Sequence, residues 1–94
     1  MKTIWKFDLA IVEGSQEVQM PKGAKVITAG VQQHMRGGDY PRIWAEVDPD
    51  AEMESRHFEV FGTGWEIPEE RGMVRKYITT AIADPFVWHF YERF

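Results

Sequence analysis

The chain has 94 residues and a formal net charge of −4, with 44% apolar, 14% aromatic and 28% charged residues. This composition predicts one folded domain over residues 1–94 and excludes a disordered chain, because disordered segments have too little apolar surface to bury. The absence of cysteine excludes disulfides, thiolate zinc sites and thiol nucleophiles. Since the net charge is negative, no direct nucleic-acid binding is expected.

The first residues, MKTIWKFDLAIVEG, lack the uninterrupted apolar core of a signal peptide, because Lys6 and Asp8 divide them. No apolar run approaches the roughly 20 residues that a membrane-spanning helix needs. We therefore expect no membrane association, and the lack of cysteine is compatible with a reducing cytoplasm.

Apolar and polar residues alternate with a period of two from the first predicted strand onward. TIWKFDL places Trp5, Phe7 and Leu9 on one face, which predicts a half-buried strand with Trp5 in the core. QEVQM predicts a second short strand. The following PKGA is typical of a tight turn, because Gly23 tolerates a positive φ two residues after Pro21.

The next segment, KVITAGVQQ, predicts a third strand with Ile27, Ala29 and Val31 on one face. Gly30 inside this strand indicates a bulge or the close approach of another backbone. MRGGDYP then favours a loop that closes a hairpin, because its pair of glycines breaks the alternation.

RIWAEVD predicts a fourth strand. Its apolar face leaves Trp44 on the opposite side, where the ring would be exposed or covered by a loop. DPDAEMES follows as an acidic turn. RHFEVFG predicts a fifth strand with Phe58 and Val60 on one face and Phe61 on the other.

The longest irregular stretch is GTGWEIPEERGM, in which Trp65 is expected to fold back as a plug. Pro68 could open one helical turn there, since its missing N–H is not needed at that position. VRKYITTAIA is rich in β-branched residues and predicts a sixth strand.

The final FVWHFYERF predicts a seventh strand with Phe86, Trp88 and Phe90 in the core. His89 and Tyr91 share the other face, which is too apolar for plain solvent. A central strand, or one buried between subunits, is therefore expected.

Seven strands separated by short turns predict an all-β fold, either a small antiparallel β-sandwich or a partly open barrel. At most one short helical turn is expected, near residues 68–72. A helical fold is excluded, because glycine, proline and β-branched residues recur throughout.

No recognisable catalytic or metal-binding motif occurs. His34, His57 and His89 show none of the spacings of zinc sites, and the carboxylates from 46 to 54 do not match a calcium loop. No nucleophile elbow and no phosphate loop is present. We therefore predict a non-enzymatic protein with no cofactor and no metal.

The binding candidates are aromatic and basic side chains, because Trp, Tyr and Arg dominate binding hot spots. Alternation and loop position select six of them: Trp44, Trp65, His89, Tyr91, Arg36 and Arg42.

Five blocks in chain order, MKTIWKF, MPKGAKV, IWAEVDPDA, FGTGW and FVWHFYE, resemble a family of small phage and prophage proteins of unknown function. QHMRGGDYP looks longer than the family's hairpin, and IPEERGMVRKYITTAIADP matches it only loosely. The resemblance implies a phage origin and a location in the cytoplasm of the bacterial host. It assigns no catalytic residue.

Three functions follow as hypotheses. The first is a non-enzymatic binder of a host or phage protein, such as a host-takeover or counter-defence inhibitor. The second is a small-ligand protein that sequesters a nucleotide between aromatic rings and arginines. The third is a minor virion or assembly component. A homodimer is also expected, because small sheets leave edges that must be paired or covered.

Overall fold

The computed structural model describes residues 1–33 and 38–94, and at positions 33 and 39 it describes the backbone only. Seven strands are present, with these bounds: β1 (Thr3–Asp8), β2 (Gln16–Pro21), β3 (Lys25–Gln33), β4 (Asp39–Val47), β5 (Met53–Gly62), β6 (Arg75–Ala83) and β7 (Phe86–Arg93). The all-β prediction is confirmed.

The strands form two antiparallel sheets. One has three strands in the order β1-β4-β3, and the other has four in the order β2-β5-β7-β6. β3 and β6 lie close to each other but are not paired, so the sheets do not close into a barrel. β7 has a neighbour on each side, as its two apolar faces indicate.

No helix occurs in the described ranges. Near residues 68–72, where the sequence predicts at most one helical turn, the chain forms a turn from Glu70 to Met73. The Met73 N–H donates to the Glu70 carbonyl over 3.2 Å. Within these ranges, no helix could cross a membrane.

The hydrophobic core lies between the sheets and draws on both. Most of its fully buried side chains occupy alternate positions on the central strands, because successive residues of a strand point to opposite faces. These are Ile43, Ala45 and Val47 of β4, Phe58 and Val60 of β5, and Phe90 of β7. Met20 of the edge strand β2 is also fully buried.

The predicted turn at PKGA carries the chain from the four-stranded sheet to the three-stranded one. The Ala24 N–H donates to the Pro21 carbonyl over 3.0 Å, and Gly23 has a φ of 81°. Because a residue with a side chain rarely adopts this φ, glycine is required here. The acidic turn is shorter than predicted, since β5 already begins at Met53.

The face predicted for the third strand is wrong at Ile27. The register of β3 against β4 shifts between Val26 and Thr28, so Val26 lies opposite Ala45 and Ile27 is 50% exposed. An extra residue in one strand reverses the alternation beyond it, and the sequence pattern does not show where that happens.

Two aromatic residues assigned to the core remain partly exposed. Trp5 lies opposite Ala45 on the inner face but is 37% exposed, because β1 is an edge strand. Phe86 is 58% exposed at the end of the β6–β7 hairpin. Alternation indicates the face of a side chain, but it does not indicate whether the opposite sheet reaches over it.

One strand breaks the expected pattern of burial. The last five residues of β5, Phe58–Gly62, are all buried, including the outward-facing Glu59 and Phe61. A strand that is buried on both faces needs a cover on its outer side, and here the connection between β5 and β6 supplies it.

Candidate functional site

The cover segment, residues 63–74, folds over the outer face of the four-stranded sheet. It leaves β5 by a turn in which the Trp65 N–H donates to the Gly62 carbonyl over 3.0 Å, and Gly64 has a φ of 89°. The Thr63 N–H donates to the Val87 carbonyl over 3.3 Å. The GTG stretch is therefore a turn, and it brings Trp65 back to Gly62.

Trp65 packs against the backbone of Gly62. A Cβ at position 62 would lie 2.7 Å from the Trp65 Nε1 atom, so only glycine leaves room for the ring in this position. The ring also meets Trp88 edge to face, with centroids 5.6 Å apart. Trp65 thus folds back as predicted, yet 40% of it stays exposed.

A buried ion pair lies under the cover segment. The Arg75 guanidinium donates to both carboxylate oxygens of Glu59, over 2.6 and 3.2 Å, and Glu59 is only 2% exposed. Arg75 also donates to the Pro68 carbonyl over 2.6 Å and lies 5.5 Å from the Phe61 ring centroid. Its hydrogen bond to Glu59 raises the pKa of Arg75.

A cavity of about 400 Å³ opens beside this pair. It lies at the edge of β5 beyond Phe58. Phe58 pairs with Gln16, the first residue of β2, so β2 does not cover the rest of that edge. The side chains that line it are acidic, aromatic or proline: Glu13, Glu59, Phe61, Trp65, Glu66 and Pro68.

His89 and Tyr91, two of the predicted binding residues, lie on this same outer face. His89 bonds the hydroxyls of Thr63 and Thr80, over 2.8 and 2.9 Å, through its two ring nitrogens. Tyr91 packs edge to face against Phe61, with centroids 5.7 Å apart. The Trp65 ring lies on the opposite side of the sheet, because Gly62 and Trp88, which it contacts, share the alternating positions of the core residues Val60 and Phe90.

Arg42 and Trp44 lie elsewhere, on the outer face of the three-stranded sheet. The Trp44 ring crosses Gly30, with its Cζ3 atom 3.4 Å from where a Cβ would stand. The feature predicted at Gly30 is thus the approach of a side chain rather than of a backbone. Arg42 donates to Gln32 over 2.5 Å and lies 3.0 Å from the Asp8 carboxylate.

Five of the six predicted residues are described, and they lie with different sheets: Arg42 and Trp44 with the three-stranded sheet, and Trp65, His89 and Tyr91 with the four-stranded one. Arg36 falls outside the described residues, as do His34, Met35 and Gly37, and residues 39–41 of the predicted loop belong to β4 instead. Among the described residues, no group of three histidine or carboxylate side chains could hold a metal ion.

Sequence reasoning missed two buried ion pairs among the described residues of the four-stranded sheet. Arg56 donates to Glu92 over 2.6 and 2.8 Å on the inner face, much as Arg75 does to Glu59 on the outer face. Each residue stands at an ordinary place in an alternating strand, so nothing in the pattern separates it from a solvated charge.

The whole chain, residues 1–94, matches the model of a family described as a domain of unknown function, DUF7352. The chain belongs to this family. No curated protein and no solved structure matches it significantly.

Membership of DUF7352 agrees with the resemblance to an uncharacterised family, but the family description names neither phage nor activity. The phage origin therefore stays a prediction. In this DUF7352 protein, the cover segment and the face beneath it form the candidate functional site.

Proposed function

We propose that the protein is a non-enzymatic binder of another protein, acting as a phage accessory factor that inhibits a bacterial host or defence protein. The binding surface is the edge of the four-stranded sheet around Trp65, where β2 no longer pairs with β5. The resemblance of the five sequence blocks to phage and prophage proteins supports the biological setting, which is the bacterial cytoplasm.

The observation that carries this proposal is the placement of Trp65. A large apolar ring stays 40% exposed although it is fixed in position by Gly62 and Trp88. A held aromatic side chain loses little conformational entropy when a partner covers it, and aromatic residues of this kind are typical anchors of protein interfaces.

The second candidate, a protein that sequesters a nucleotide, receives less support from this surface. Of the described residues that line the cavity, three are glutamates and none is Lys or Arg. Arg75 is already engaged by Glu59, and Arg42 lies on the other sheet. A phosphate at this cavity would meet carboxylates without a compensating cation.

The test uses the purified protein as immobilised bait in lysates of several bacterial hosts, with mass spectrometry to identify what it retains. A retained protein is then purified and its affinity measured by calorimetry. We expect Trp65→Ala to weaken that complex about tenfold or more, as hot-spot residues do, and Trp44→Ala to leave it nearly unchanged.

Recovery of the bait alone from every lysate would overturn the proposal. A complex that depends on Trp44 and not on Trp65 would overturn the location of the site. A rise in melting temperature with nucleotides at micromolar concentration would favour the second candidate instead.

A further inference from the structure

The cavity beside Trp65 combines three features that suit one kind of ligand. It is concave, it has aromatic walls, and its polar groups are carboxylates. Its volume of about 400 Å³ lies within the range of ligand pockets, roughly 300–1,000 Å³. We propose that it receives the guanidinium group of an arginine side chain from the partner protein, an inference that rests on the proposed function.

The charge that attracts this ligand comes from Glu13 and Glu66. Glu59 is already neutralised by Arg75, which bonds both of its oxygens. Glu13 and Glu66 are exposed, and in the described part of the chain neither has an ion-pair or hydrogen-bond partner. Two free carboxylates at the rim of one cavity therefore favour a cation.

The aromatic wall adds a second attraction. Trp65 lines the cavity and is 40% exposed, and its ring is held by Gly62 and Trp88. A cation over a tryptophan face is stabilised by the ring quadrupole, more strongly than over tyrosine or phenylalanine. The carboxylates and the ring thus select for the same charge.

The protein already binds one guanidinium group in this way. Arg75 donates to a carboxylate, Glu59, and lies 5.5 Å from the centroid of the neighbouring Phe61 ring. The Arg75 site and the cavity therefore have the same kind of lining, a carboxylate beside an aromatic ring. This repetition favours arginine over lysine, because only a planar guanidinium both stacks on rings and bonds carboxylates in a fork.

The test is an NMR titration of the intact ¹⁵N-labelled protein with three small probes. These are N-acetyl-arginine methylamide, its lysine counterpart, and the citrulline counterpart, which has the shape of arginine without its charge. We expect saturable shifts of the Trp65 indole N–H signal with the arginine probe, weaker shifts with lysine and none with citrulline.

A double variant, Glu13→Gln with Glu66→Gln, should weaken the arginine probe about tenfold, because both cavity charges are gone. The matched control, Asp50→Asn with Glu52→Gln, removes two exposed charges from the loop before β5 and should bind like the wild type. Both variants change exposed side chains, and thermal unfolding checks that each is folded.

Equal shifts with citrulline, no shift with arginine, or an equal loss in the control variant would each overturn the inference. Equal affinity for the lysine probe would overturn the choice of arginine. Failure of the proposed function is distinct from these results, because it is the absence of any retained partner in lysate. A partner that depends on Trp65 but not on Glu13 and Glu66 would leave the proposed function standing without this inference.

Discussion

The two outer faces of the protein differ in what lies over them. On the three-stranded sheet, Ile4 and Asp8 of β1 remain open to solvent, although Arg42, which pairs with Asp8, is largely covered. On the four-stranded sheet, Glu59 and Phe61 are buried beneath the cover segment, residues 63–74. On both sheets, the outer face consists of every second residue of alternating strands. The difference in burial therefore comes from the cover segment, which has no regular secondary structure.

This comparison shows how a small sheet protein can prepare a binding surface. An open charged face offers flexible groups that a partner must order. A covered face holds a ring and a carboxylate in place before the partner arrives, which reduces the entropy lost on binding. The following substitutions compare the two faces directly.

The largest difference in the free energy of unfolding is expected between the Phe61→Ala and Ile4→Ala variants. Phe61 is buried against Tyr91 and Arg75, so its loss should lower the free energy of unfolding by about 3–5 kcal/mol. Ile4 is exposed on the open face, and its loss should change that energy by about 0.5 kcal/mol at most. Urea unfolding measures both. Similar small losses in the two variants would show that residues 63–74 do not shield Phe61.

The second largest difference in stability is expected when the ion pair on each face is broken. Glu59→Gln leaves the charge of Arg75 without its partner in a buried place, and should cost about 3 kcal/mol. Asp8→Asn removes an exposed carboxylate from Arg42, which keeps its hydrogen bond to Gln32, and should cost less than about 1 kcal/mol. Calorimetric melting of both variants tests this order, with a fall of about 10 °C or more expected only for Glu59→Gln. Equal falls would contradict a buried pair.

A pair of glycine substitutions probes the two tryptophans. Gly62→Ala would place a Cβ 2.7 Å from the Trp65 Nε1 atom and should displace the ring, at a cost of about 1–3 kcal/mol. Gly30→Ala meets Trp44 at 3.4 Å, where a small adjustment suffices, and should change stability by about 0.5 kcal/mol. Indole N–H signals in NMR spectra identify which ring moves. An unchanged Trp65 signal in Gly62→Ala would show that the ring is not held there.

Among the changes on the covered face, the smallest effect is expected for His89→Ser, which removes the hydrogen bonds to Thr63 and Thr80 at the edge of the cover segment. The loss should be about 1 kcal/mol, because both hydroxyls can turn to water. Adding Tyr91→Ser should cost more, since Tyr91 packs against Phe61 and Tyr77. The single variant is therefore the better one for testing whether this face contributes to binding, and hydrogen exchange at Thr63 reports any loosening.

The candidate site was predictable only in part. Trp65 was found because an aromatic residue in a loop after a strand stands out against alternation, and His89 and Tyr91 because their face was too apolar for solvent. Glu13, Glu59 and Glu66 were not found, because an acidic residue in a turn or a strand usually faces water. They meet only after β5, the cover segment and the turn before β2 are brought together.

The sequence alone determined the strands, most of their faces and the sharp turns. These features depend on neighbours within a few residues, through the alternation of side chains and the φ angles of glycine and proline. Tertiary structure decided the bulge at Ile27, the exposure of Trp5 and Phe86, and the burial of Glu59. Each of these depends on which distant segment lies over a residue, and a local pattern carries no record of that contact.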